Sequence, residues 1–253
     1  MGTLTVSILL AILSAQAYAQ TKDYCASYLC PNGEKNIGCG TKNAFAATCP
    51  RDAKLATPGD FKKVILDQHN AIRNQVAMGN LTGFESGMRL ATLQWDSELE
   101  KLASIQAKQC VAEKDECRNT DRFNSVGQNF YSANRTTTKY NVTGVIVEAI
   151  NSWFSEYETF DNATIANYTA DNSTSDFAQL ITAQATYVGC SMVQYTEATR
   201  IVVNLFCDYS SEPKEGQAVY QQGCPAAQCV KGRNPTYHGL CAVTEPIDPN
   251  YGD

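Results

Sequence analysis

The chain has 253 residues, 43% of them hydrophobic, and its 20 Lys and Arg against 26 Asp and Glu give a net charge of −6. That length and apolar content suit one compact domain, or one domain with an appendage. The acidic balance, with no Lys/Arg run to neutralise phosphates, argues against a nucleic-acid or anionic-membrane partner. Eleven cysteines and six Asn-x-Ser/Thr acceptors place the chain in an oxidising, glycosylating secretory route.

Residues 1–19 contain no Lys, Arg, Asp or Glu, run apolar from Leu4 to Leu13 and end in Ala17-Tyr18-Ala19. They read as a signal peptide cut before Gln20. No later stretch approaches the roughly 18 apolar residues that a membrane span requires. Residues 20–57 carry Cys25, Cys30, Cys39 and Cys49 in a Gly/Asn/Lys-rich segment without periodicity, expected to be a stapled N-terminal arm. From Pro58 to Ser210 the pattern is that of a folded domain. Asp60 is placed to cap a helix with Phe61, Ile65, His69, Ile72 and Val76 on one face. A second helix is expected after Trp95, capped by Asp96, with Leu99, Leu102, Ala103 and the run from Ile105 to Cys110 facing inward. A third runs from Val145 through Trp153 to Tyr157. Alternation at 185–193 and 200–207 predicts two strands joined across 196–199 as a hairpin. Helices first and strands later define an α+β domain. Residues 211–253, with three cysteines, Pro and Gly, read as a stapled C-terminal extension.

The acceptor asparagines are Asn80, Asn134, Asn141, Asn162, Asn167 and Asn172; Asn234 is excluded because Pro235 follows it. Five of the six fall between 134 and 172, so glycans there forbid a tight protein interface over that stretch.

Six segments carry a resemblance. His69-Asn70-Ala71-Ile72-Arg73, Leu93-Gln94-Trp95-Asp96, Gly127-Gln128-Asn129-Phe130, Trp153-Phe154-Ser155-Glu156, Tyr187-Val188-Gly189-Cys190 and Asn204-Leu205-Phe206-Cys207-Asp208-Tyr209 occur in that order. In this the chain resembles the superfamily of cysteine-rich secretory, antigen-5 and pathogenesis-related (CAP) proteins, and its N-terminal cysteine spacing looks most like insect venom and salivary antigen-5 proteins. The resemblance implies a three-layer α-β-α sandwich around a central antiparallel sheet. It also implies the disulfides Cys25–Cys39, Cys30–Cys117, Cys49–Cys110, Cys190–Cys207 and Cys229–Cys241. Cys224 is then left over, free or available to cross-link a second chain, so a monomer is expected with a dimer as the alternative. Of these pairs only Cys190–Cys207 has its own geometric warrant, because both lie on adjacent strands of one predicted hairpin.

The resemblance further implies a cleft in which two His and two carboxylates gather. Here His69 and Glu156 match, Gln128 stands where Glu is usual, and Asp176 stands where the second His belongs. A neutral amide is a poor zinc ligand and the second imidazole is gone, so no metal, no other cofactor and no catalytic residue is expected. His69 is expected to hydrogen-bond Glu156 or Asp176, with Gln128 completing the network. His238 reads as a surface histidine. Ser125 has no triad context, and oxidised cysteines offer no thiolate. Phe130, Tyr131, Tyr140, Trp153 and Phe154 read as core and rim aromatics, or else as the lining of an apolar groove. The preferred reading is a secreted, non-catalytic glycoprotein that binds an extracellular protein or small ligand. The alternatives are a carrier of sterol, fatty acid or eicosanoid, and a weak metal-dependent hydrolase.

Overall fold

The computed structural model of the protein describes residues 22–56, 59–136 and 140–251. The expected leader, residues 1–19, lies outside the described residues. Strands β1 (Lys54–Leu55), β2 (Gln94–Trp95), β3 (Gly127–Arg135), β4 (Tyr187–Glu197) and β5 (Arg200–Tyr209) form one sheet in the order β1-β4-β5-β3, with β2 added in parallel to β4. All other pairings are antiparallel. Helices α1 (Phe61–Ala77), α3 (Val142–Ser155) and α4 (Ser175–Ile181) cover one face, and α2 (Ser97–Ala107) covers the other. The result is the expected three-layer sandwich.

Strand periodicity decides which residues meet which layer. Along β5, Ile201, Val203, Leu205, Cys207 and Tyr209 pack into the core under α1, α3 and α4. Val202 and Phe206 turn the opposite way, onto Ala103 and Ala107 of α2, where Phe130 of β3 stacks on Phe206 at 4.9 Å. Helix α2 sits so close to β4 that a Cβ on Gly189 would fall 2.1 Å from the Glu100 nitrogen. Only glycine fits there.

Several local expectations need correction. Asp60 occupies the N-cap position of α1 but its side chain makes no cap bond; only its carbonyl is used, by Val64 N–H. Asp96 does cap α2, accepting from the Glu98 and Leu99 N–H groups at 2.8 and 3.0 Å. That helix ends at Ala107 rather than Cys110, which adopts φ 55° in the following turn. The β4–β5 connection is tighter than expected, since Glu197 pairs with Arg200 across Ala198-Thr199, with Ala198 at φ 53°. Besides the two-residue strands β1 and β2, the longer elements that went unread are β3, whose Gln, Asn and Ser residues on both faces hide any alternation, and α4, whose seven residues are too few for a helical period.

The cysteines pair as Cys25–Cys39, Cys30–Cys117, Cys49–Cys110, Cys190–Cys207 and Cys229–Cys241, with Cys224 free and exposed. Cys190 and Cys207 stand directly opposite in the β4–β5 register. The C-terminal extension is less separate than its sequence suggests. Val219, Tyr220 and Leu240 belong to the main core, and Asn234 is buried with its amide on Thr92 at 3.0 Å. All six acceptor asparagines are exposed, and His238 is exposed as expected.

Candidate functional site

The first helix brings three residues of one motif onto its buried face: His69, Asn70 and Arg73. Asn70 pairs with Leu93 in both directions, its amide donating to the carbonyl at 3.0 Å and its oxygen accepting the N–H at 2.9 Å. Arg73 is fully buried without a carboxylate partner. Its guanidinium donates instead to the carbonyls of Ala91, Leu180, Thr182 and Ala185 at 2.8–3.3 Å. Two residues of the motif therefore tie α1 to the segment before β2, the end of α4 and the entry to β4.

His69 is also fully buried. Its Nδ1 lies 2.8 Å from the Ile65 carbonyl, which can only accept, so Nδ1 carries the proton. Nε2 is then a bare acceptor, and Tyr209 donates its hydroxyl to it at 2.7 Å. Trp153 packs against the same imidazole, ring centroids 6.3 Å apart. Burial pushes the His69 pKa down to about 4. The expected bond from His69 to Glu156 or Asp176 does not form, because the last residue of β5 reaches the ring first.

Glu156 and Asp176 do lie together, at the start of α4. The Glu156 carboxylate accepts the Phe177 N–H at 2.9 Å, and Asp176 is ion-paired with Lys114 at 2.6 Å. Burial, with a further contribution from the Asp176 charge, raises the Glu156 pKa to about 7. Burial raises that of Asp176 as well, against the opposing pull of Lys114.

Gln128 is on the wrong side of the sheet to join them. It alternates with Asn129, and it is Asn129 that faces α4, donating to the Asp176 carbonyl at 3.0 Å. Gln128 points toward the α2 layer, where its amide donates to Asp115 Oδ2 at 2.9 Å and to Asp208 Oδ1 at 2.8 Å. Asp208 is buried and its carboxyl is pushed well above the usual range by burial, then by Asp115. An amide suits this place because it can donate, whereas a third carboxylate could only accept and repel. Arg118 completes the group through Asp115 at 2.9 Å.

The four residues thus form three separate arrangements rather than one ligand set. A divalent ion at His69 would have to displace the Tyr209 hydroxyl from Nε2, and no second imidazole, carboxylate or thiolate converges there; among the described residues no group of three His, Cys, Asp or Glu is placed to hold a metal. The residues present do not fit the ion. Ser125 donates to Glu212 at 2.8 Å and has no histidine partner. Of the aromatics, Phe130 faces α2, whereas Trp153, Phe154, Tyr131 and Tyr140 pack with the main core: Trp153 has its N–H on the Phe130 carbonyl, Phe154 lies against Tyr157 and Phe177, Tyr131 bonds Glu148, and Tyr140 bonds Gln194.

A sandwich with this sheet order, these staples and this His-Asn-x-x-Arg lock defines a class, and the chain belongs to it. Residues 66–209 match the model of the CAP group, the cysteine-rich secretory protein family, and the protein is a member of that family. Within it, the chain is 30% identical over 241 residues to Venom allergen-1 of Aedes aegypti, covering 94% of this chain and 92% of the relative. It is 35% identical over 197 residues to Antigen 5 like allergen Cul n 1 of Culicoides nubeculosus, covering 73% and 89%. The solved structure of NaASP2 with Zn2+ superposes with a TM-score of 0.61 at 21% identity, covering 77% of this chain and all of that one, a likeness of fold.

The pH response of the site has a definite sign. The pKa of Glu156 is higher folded than unfolded, so its contribution to stability is present below the unfolded value of about 4.5 and is lost as pH rises toward 7. Glu156→Gln removes that dependence. Urea midpoints measured from pH 4.5 to 8 should show wild type losing stability relative to the variant as pH rises; a wild type that gains on the variant as pH rises would contradict the assignment.

Proposed function

We propose that the protein is a secreted, non-catalytic glycoprotein that acts by binding an extracellular partner through its surface. The observation that carries this reading is the state of His69, whose two ring nitrogens are both engaged inside the core. A general base or metal ligand needs one of them free and reachable. The secreted setting is supported by the five disulfides, by the exposure of all six acceptor asparagines and by relatives named as insect allergens. Among the described residues no helix is long and apolar enough to cross a membrane.

The acceptor sites also bear on where a partner docks. Asn80 follows α1, Asn134 lies one residue before the end of β3, Asn141 precedes α3, and Asn162, Asn167 and Asn172 lie between α3 and α4. Glycans at Asn80, Asn141, Asn162, Asn167 and Asn172 shield the α1–α3–α4 side, whereas Asn134, paired with Val202, is in phase with Phe130 on the α2 side of the sheet. The arm from 22 to 56 and helix α2 themselves carry no acceptor.

The carrier alternative draws no support from these aromatics, which pack against the protein's own core. Native mass spectrometry of the secreted protein is expected to give the polypeptide plus its N-glycans, with neither metal nor lipid. A stoichiometric lipid adduct would replace this reading with the carrier, and stoichiometric zinc would replace it with the hydrolase.

A further inference from the structure

Along the sequence the lysines are scattered, but folding gathers several of them. Lys101 and Lys108 lie with Ile105 at four- and three-residue spacing on the ridge of α2 that meets the arm. Between that ridge and the Cys25–Cys39 staple lies a cleft of about 560 Å³, lined by Lys22, Lys42 and Lys101 together with Tyr24, Thr41 and Asn43. Lys101 Nζ stands over the Tyr24 ring, 5.2 Å from its centroid, and Lys108 at the rim is held by Asn43 at 2.8 Å. Lys22 pairs with Glu98, which also accepts the Tyr24 hydroxyl at 3.0 Å. Among the described residues Lys42 and Lys101 have no carboxylate partner, and the one carboxylate in the lining, Asp23, accepts the Cys25 N–H at 2.9 Å. Three ammonium groups around one concavity are an anomaly in a chain of net charge −6.

We propose that this arm–α2 cleft binds a sulfated segment of an extracellular glycosaminoglycan. The inference rests on the secreted, surface-binding reading above. Lysine ammonium groups on flexible stems suit sulfate esters as point charges, and the hydroxyl of Thr41 with the amide of Asn43 suits sugar hydroxyls. The volume is that of a pocket for a small polar ligand, about 300–1,000 Å³ in general. Single-stranded nucleic acid is the poorer fit, because Tyr24 is the aromatic residue in the lining and its face is taken by Lys101 and its hydroxyl by Glu98, which leaves no platform for base stacking. A bilayer meets a convex surface better than a recess, and the overall negative charge repels one. The cleft also lies between two elements, the arm and α2, that carry no glycan acceptor.

The test uses the full glycosylated protein and a heparin octasaccharide, titrated calorimetrically at low and physiological salt. Lys42→Gln with Lys101→Gln, both exposed positions, is expected to weaken binding about tenfold or more and to reduce its salt dependence. Lys63→Gln with Lys231→Gln, which removes the same charge elsewhere, should leave affinity within about twofold of wild type, as only charges near a site act on it through salt. N- and O-desulfated octasaccharide should bind no better than the cleft variant. Wild-type affinity in the cleft variant, or an equal loss in the control, overturns the site. Tighter, equally lysine-dependent binding to an oligonucleotide or to phosphatidylserine vesicles overturns the ligand class. Circular dichroism confirms that each variant is folded, and because none touches His69, loss of this site leaves the reading of the core unaffected.

Discussion

Arg73→Met is expected to destabilise the domain by roughly 4 kcal/mol or more, the largest effect of any single substitution named here. The guanidinium satisfies four main-chain carbonyls from three separate segments, all in the interior. A buried acceptor left without a donor costs about 1–3 kcal/mol, and several are orphaned at once. Methionine fills comparable volume and so separates lost hydrogen bonding from cavity formation. Lysine is no remedy, since one ammonium cannot reproduce the fork that reaches Ala91 and Leu180 together. Urea denaturation with unchanged slope and a much lower midpoint is the expected readout. A shift below about 1 kcal/mol would mean that water reaches those carbonyls and that the motif has another purpose.

The second large effect concerns His69 and Tyr209. Tyr209→Phe removes the donor to Nε2 while keeping the ring in its packing place against the imidazole, centroids 5.6 Å apart. It should cost about 1–3 kcal/mol, as should His69→Phe, which leaves the tyrosine hydroxyl unpaired. In the double variant both polar partners are gone, so the combined loss should fall well short of the sum. Additive losses would show that the two groups do not depend on each other. The coupling between His69 and Glu156 in a parallel cycle should be near zero, because the structure places no bond between them.

The residues that announced themselves in the sequence were those whose side chains follow a period. The faces of α1, α2 and α3 and the alternation in β4 and β5 are burial patterns, and burial is what hydrophobic spacing encodes. Asp96 was legible as a cap because an Asx side chain before an apolar run can accept the first free N–H groups of the helix, although Asp60, read in the same way, makes no such bond. Strand β3 was not, since Gln128 and Asn129 are polar on opposite faces for unrelated reasons, one to bridge Asp115 and Asp208, the other to reach α4. Facing was the missing fact at the candidate site. The family resemblance puts Gln128 in one cleft with His69, but only the register against β5 shows that Tyr209, not Gln128, meets the imidazole. The lysine cleft was equally invisible, because Lys22, Lys42 and Lys101 are brought together by a disulfide-held arm and not by proximity along the chain.

The state of the His69 ring tests the central claim most directly. Long-range proton–nitrogen correlation on labelled protein reports which ring nitrogen bears the proton. The bonds to Ile65 and Tyr209 predict a neutral imidazole protonated at Nδ1 at pH 7, holding that state until the pH nears 4, with resonances that do not move when zinc is added. A His69 protonated at Nε2, or an Nε2 resonance that shifts stoichiometrically with zinc, would contradict it and return the cleft to the functional surface of the protein.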